Sequence, residues 1–239
     1  MKKLLIVVDY QKDFVDGALG FDGAEKFERP IADKITEYRS RGDEIVFTFD
    51  THGEAYMTTE EGRNLPVMHC LEGSDGWQLY GCIGELIAPD DMCFTKNTFG
   101  SAELFDYLRG REYESIELVG LVSNICVLAN AVIAKTALPD VPIIVDSLCT
   151  GSFDSELNEK CFDVMEFISE CLTERSRAMQ KVKLVPDAPF ATRLDIDVYT
   201  LDGGSEKKRC SITAEFARGD IEELKKQGME LCGALDYYR

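Results

Sequence analysis

The sequence predicts an α/β fold: a Rossmann-like parallel sheet with helices on both faces, plus a small C-terminal α+β appendage. Three observations lead there. Short apolar runs of strand length alternate with amphipathic stretches over roughly the first 170 residues. The opening run LLIVV, Leu4–Val8, stops at Asp9 and reads as a buried first strand. From about Ser176 the alternation loosens, so residues 1–175 read as one domain and 176–239 as the appendage.

After the first strand, residues 25–41 read as a helix with Ile31, Ile35 and Tyr38 on one face. EIVFTF at 44–49 is the second strand, 76–87 looks helical, and 92–95 is the third strand. Ala102–Leu108 is helical, 116–119 is the fourth strand, and 126–137 is a helix rich in Ala, Val and Leu. Residues 142–145 form the fifth strand and 155–171 the helix after it. In the appendage, 195–201 and 210–216 read as strands joined by a polar connection that begins with a turn at 202–204. Residues 220–235 read as a helix capped by Asp220, with Glu222 and Glu223 in its first turn.

Composition excludes several functions. The net charge of −18 repels phosphate backbones and anionic lipids, so neither nucleic acid nor a membrane surface is expected as a partner. MKKLL begins like a signal peptide, but its apolar run is five residues long, against about 7–15 for a signal core. No stretch approaches the ~20 apolar residues of a membrane span, and a cytoplasmic location is the expectation. Nine cysteines include no CxxC pair, which argues against a zinc ribbon or finger and against a thiol redox motif. Most read as reduced packing residues.

In a parallel sheet, ligands bind beyond the carboxyl ends of the strands. That rule selects Asp9 after strand one, Asp50 and His52 after strand two, Lys96 after strand three and Cys126 at the helix after strand four. Each has a plainer reading: a capping aspartate, an incidental Asp-x-His pair, a solvated lysine and a packing cysteine. Together they make a reactive set. The helix dipole at Cys126 is expected to favour thiolate. Asp9 can take its proton, and Lys96 can hold the thiolate and a developing oxyanion. Asp50 and His52, two apart in an extended segment, point the same way. With His69 from the LPVMHC loop they form a ligand set with open positions for zinc, iron or manganese, and Glu61 is a candidate outer ligand.

These residues lie in VVDYQKDFVDGALG (7–20), TFDTH (48–52), EGRNLPVMHC (61–70), TKNTFGS (95–101) and GLVSNICVLANA (120–131). The five stretches resemble, in order, motifs of the isochorismatase-like cysteine hydrolases, and within them the nicotinamidase branch. The resemblance implies Asp9, Lys96 and Cys126 as the catalytic set and Asp50, His52 and His69 as metal ligands, with Glu61 added in some members. It implies Phe14, and a position near Phe99, against a substrate ring. It further implies a non-proline cis peptide at Val122–Ser123, oxyanion contacts from the Val122 and Cys126 amides, and a homo-oligomer. The activity implied is hydrolysis of a small amide, nicotinamide first, through a thioester. Another carboxamide or ureido hydrolase of the superfamily is the alternative, and a catalytically silent binding module a remoter one. Ser123-Asn124 stands where the family often has Thr-Asp, and Thr51 where many nicotinamidases have Trp. The C-terminal 60-odd residues have no counterpart in the resemblance.

Overall fold

The computed structural model describes residues 1–165 and the backbone of residues 166–167, Cys171–Leu172, Gln180–Lys181, Arg193–Asp202 and Ser205–Glu215. The chain divides into two compact units, Met1–Arg175 and Ser176–Arg239.

The first unit is built on strands β1 (Leu4–Val8), β2 (Glu44–Asp50), β3 (Met92–Lys96), β4 (Ile116–Leu121), β5 (Ile143–Gly151) and β6 (Cys171–Leu172). They form a parallel sheet in the order β3-β2-β1-β4-β5-β6. The order reverses between β1 and β4, and such a switch point leaves a crevice at the carboxyl ends of those two strands. All five residues of β1 are fully buried, as a central strand covered on both faces requires. Its side chains alternate between two cores. Leu4, Ile6 and Val8 pack with Leu104 and Leu108 of α4 (Ala102–Leu108) and Ala131 and Ala134 of α5 (Leu128–Ala137). Phe162 and Met165 of α6 (Ser155–Phe167) join the same core. Leu5 and Val7 face Ile31, Ile35 and Tyr38 of α2 (Glu28–Arg41).

Local chemistry explains the α2 boundaries. A 3-10 turn, Ala24–Phe27, precedes the helix. Pro30 falls in the first turn, where its missing N–H costs no internal bond. Gly42, at φ +72°, ends the helix in the left-handed conformation. In β4, Gly120 has φ +112°, and a Cβ there would lie 1.9 Å from the Val8 carbonyl oxygen. Only glycine lets β4 lie this close to β1.

Several sequence expectations change. Residues 76–87 are not one helix; they contain only the 3-10 segment Gly81–Leu86. Their backbone is used elsewhere: the amides of Lys12 and Asp13 donate to the carbonyls of Gln78 and Gly76, and the Tyr80 amide donates to Tyr10. The fifth strand runs on to Gly151 through an irregularity in its pairing with β4. Of the helix read at 155–171, the described part is Ser155–Phe167, and Cys171 belongs to β6.

In the second unit β7 (Gln180–Lys181), β8 (Arg193–Asp202) and β9 (Ser205–Glu215) form an antiparallel sheet in that order. The polar stretch read as a connection is largely strand, because Glu206, Lys207 and Lys208 pair with Leu201, Thr200 and Tyr199. Charged residues hid its periodicity. The helix expected at 220–235 lies outside the described residues.

Candidate active site

Four strand ends converge on the crevice. Asp9 follows β1 with φ +44° and is fully buried. Lys96 closes β3 and pairs in register with Asp50, the last residue of β2. Cys126 lies within a π-helical turn, Ser123–Val127, that joins β4 to α5. π-Helical turns concentrate at functional sites. Lys96 links the group: its Nζ is 2.5 Å from Asp9 Oδ2, 3.3 Å from Asp50 Oδ1 and 3.5 Å from Cys126 Sγ. Thr48 Oγ1 donates to the other Asp9 oxygen at 2.7 Å.

Burial governs the electrostatics. It raises Asp9 above the ordinary carboxylate range; Lys96 opposes the shift and Asp50 adds to it. Burial alone would lower Lys96, but Asp9, Cys126 and Asp50 outweigh it and hold the ammonium charged. The Cys126 thiol is pushed well above its usual value by burial first and by Asp9 second, against Lys96. This direction opposes the shift toward thiolate expected from the helix terminus. A helix end offers up to ~2 kcal/mol, about 1.5 pKa units, whereas full burial shifts a group by up to about 3–5 units.

Beside this cluster, Asp50, His52 and His69 bring their ligand atoms within 4.8 Å of one another, all three buried. Asp50 Oδ2 is 3.0 Å from His52 Nε2 and 3.4 Å from His69 Nε2. Two atoms bound to one ion at about 2.1 Å and at tetrahedral or right angles stand about 3.0–3.4 Å apart, so the set fits a divalent metal ion. The His69 Nδ1–H donates to the Val67 carbonyl at 2.8 Å, which turns Nε2 toward the site as a metal-ligating imidazole needs. Glu61, on α3 (Glu60–Asn64), has its Oε1 3.8 Å from each Nε2. Burial would raise Asp50, but its contacts with His52 and His69 and the charge of Lys96 outweigh it and hold the carboxyl below the usual carboxylate range.

Phe14, on the short helix α1 (Lys12–Val15), has its ring centroid 5.7 Å from that of His69. Phe99 stands on the loop after β3 and is half exposed. Val122 precedes the π-helical turn. The cis peptide lies at Leu121–Val122, one bond before the expected position; the turn already claims Ser123, so the junction with the strand comes earlier.

Other residues that hold the site were not singled out from sequence. Fully buried Gln11 accepts from the Asp50 amide at 2.8 Å and donates to the Asp50 and Trp77 carbonyls, each at 2.9 Å. It thereby ties the segment after β1 to the end of β2. Its spacing of two from Asp9 was an available signal. Tyr56 packs its ring at 4.6 Å from His52 and 5.0 Å from His69, between centroids. Asp13 Oδ2 accepts from the Cys70 amide at 2.7 Å and so anchors the His69 loop.

The fold and this cluster at its switch point define a parallel α/β protein with a hydrolase-type site. The chain belongs to the isochorismatase family, whose domain matches residues 3–176, and it is an amide-hydrolysing enzyme. It is 31% identical over 167 residues to the isochorismatase-family protein PncA of Bacillus subtilis (strain 168), covering 65% of this chain and 90% of that one. A crystal structure of nicotinamidase/pyrazinamidase PncA from Bacillus subtilis superposes with a TM-score of 0.63 at 29% identity, over 70% of this chain and 95% of that one. The fold is also that of a pyrazinamidase of Pyrococcus horikoshii solved in complex with zinc, with TM-score 0.62, 23% identity, and coverage of 72% and 98%.

Proposed function

We propose that the enzyme hydrolyses nicotinamide to nicotinate and ammonia through a thioester on Cys126. The observation that carries the thioester chemistry is the placement of the Lys96 ammonium against both the Asp9 carboxylate and the Cys126 sulfur. A carboxylate whose pKa is raised by burial is a better base for a thiol. Asp9 takes the Cys126 proton as the sulfur attacks the carboxamide carbon. The carbonyl electrons move to oxygen, where the Val122 and Cys126 amides and Lys96 stabilise them. Collapse of this intermediate breaks the C–N bond, and Asp9 returns the proton to departing ammonia. Water, deprotonated by Asp9, then cleaves the thioester and restores the thiol.

Phe14 and Phe99 flank the ring in this reading. Asp50, His52 and His69 hold a divalent ion, zinc first and iron or manganese as alternatives, with Glu61 outside them. When bound, that ion supplies an open coordination position for a donor atom of the substrate. The relatives named nicotinamidase or pyrazinamidase support the substrate class.

The test is ammonia release across a panel of carboxamides and ureido compounds, with metal content measured on the same sample and Cys126→Ala as the control. Nicotinamide should lead the panel, and the control should be inactive. A ureido compound ahead of every carboxamide would overturn the substrate assignment.

A further inference from the structure

We propose that Asn130 is a positioning residue for substrate binding. Its side-chain amide fastens loop 97–101, which carries Phe99, to the turn that carries Cys126. Asn130 lies on α5 and is fully buried. Its Nδ2 donates to the Cys126 carbonyl, four residues back on its own helix, at 2.8 Å and to the Phe99 carbonyl at 3.2 Å. Its Oδ1 accepts from the Ser101 amide at 3.0 Å. One planar group thus satisfies both candidate halves of the site, the nucleophile turn on one side and the aromatic loop on the other.

Two further features fix this loop. Ser101 caps α4, its hydroxyl accepting from the Leu104 amide at 3.1 Å. At Gly100 a Cβ would come within 2.5 Å of Ile133 Cδ1 and 3.6 Å of Ala129 Cβ, so the loop backbone lies directly on α5. The loop starts at Lys96 and ends at Ser101, and its height above α5 is set between them by Asn130. Phe99 itself is half exposed, so the bonds of Asn130 to the loop backbone contribute directly to where its ring stands. The inference rests on the reading that Phe99 contacts the substrate. It predicts an effect on binding and leaves the chemical step nearly unchanged.

The variant Asn130→Thr separates the bonds. A threonine hydroxyl can return to a carbonyl four residues back in its helix, keeping the Cys126 contact, while both loop bonds are lost. Steady-state kinetics are measured on wild type, Asn130→Thr, Phe99→Ala and the double variant, using whichever carboxamide of the panel is best. Loss of two hydrogen bonds should raise KM about tenfold, with kcat within about threefold. In the Phe99→Ala background the same substitution should change KM by less than about twofold, because residues acting through one another are not additive. Asn130→Ser, whose hydroxyl can likewise return to the Cys126 carbonyl while both loop bonds are lost, is the second variant should Asn130→Thr fold poorly, and the same KM rise is expected of it. A melting-temperature loss with KM unchanged would make Asn130 a packing residue only. A KM increase of equal size in both backgrounds would show that it does not act through Phe99. Poor turnover of nicotinamide relative to other amides would instead count against the substrate assignment and leave the Asn130 comparison intact.

Discussion

Lys96 Nζ lies 2.5 Å from Asp9 Oδ2, with both side chains closed to solvent. A buried carboxylate this close to an ammonium keeps a counter-charge while it gains or loses a proton. Asp9 is also outside the Asp50–His52–His69 group. Asp9→Asn, which keeps the shape and removes the base, should therefore lower kcat by about 10²–10⁴-fold. Metal content should equal that of wild type. Retention of kcat within a factor of a few would remove Asp9 from the proton path.

The raised Cys126 pKa predicts how the thiol responds to pH. A protonated thiol is a poor nucleophile toward iodoacetamide. At pH 7 the exposed Cys82 and Cys93 should be labelled ahead of buried Cys126. Because the pKa lies above the window, the thiolate fraction of Cys126, and with it the labelling rate, should rise about tenfold per pH unit from pH 7 to 9. Peptide mass spectrometry of a labelling time course reads this out. Rapid labelling of Cys126 at pH 7 that does not change with pH would restore the resting thiolate.

Away from the site, Lys34 Nζ reaches Glu117 Oε1 at 2.6 Å and Asp146 Oδ2 at 2.9 Å, and the Tyr38 hydroxyl donates to Glu117. Burial alone would lower the Lys34 pKa, but Glu117 and Asp146 outweigh it and raise it. Lys34→Met leaves two buried carboxylates without their cation. The expected loss is about 3 kcal/mol, the low end for a broken buried pair, since Lys34 is partly open to water. The sign with pH follows from a raised folded value. The contribution of Lys34 is complete below its unfolded pKa of about 10.4 and is lost as pH rises through the folded pKa. The difference in denaturation midpoint between wild type and variant should be constant from pH 7 to 9 and narrow above about pH 10.5. A gap that widens at alkaline pH would contradict the assignment.

Much of the site is legible in sequence because strand ends are. Asp9, Asp50, Lys96 and Cys126 each follow an apolar run, and the carboxyl-end rule needs nothing more. Residues whose role depends on which strands are neighbours are not legible. Thr48 reaches Asp9 only because β2 lies beside β1, and Asn130 reaches Ser101 only because the loop after β3 lies on α5. Residues 76–87 fit helical spacing, but spacing is silent on where a backbone finds its hydrogen bonds. The upward direction of the Cys126 pKa is not legible for a related reason. A local dipole is visible in sequence, and the depth of burial that outweighs it is not.

The last prediction concerns the ligand group and the substrate ring. Asp50, His52 and His69 supply three donors, which leaves coordination positions on a divalent ion open. A ring nitrogen is a good donor for zinc and its neighbours. Benzamide has the shape of nicotinamide without that nitrogen, and a site built around a polar partner rejects analogues lacking it. Its kcat/KM should be lower by on the order of 10²-fold or more. His52→Ala should lose metal and nicotinamide turnover together. Cys126 should still react with iodoacetamide at alkaline pH, because its contacts are with Lys96 and Asp9 and not with His52. Equal rates for benzamide and nicotinamide would remove the anchoring role, and with it the main reason to prefer nicotinamide over another amide. A His52→Ala protein with an unreactive Cys126 would show instead that the ligand group and the thiol depend on one another, through the Lys96 ammonium that touches both Asp50 and the sulfur.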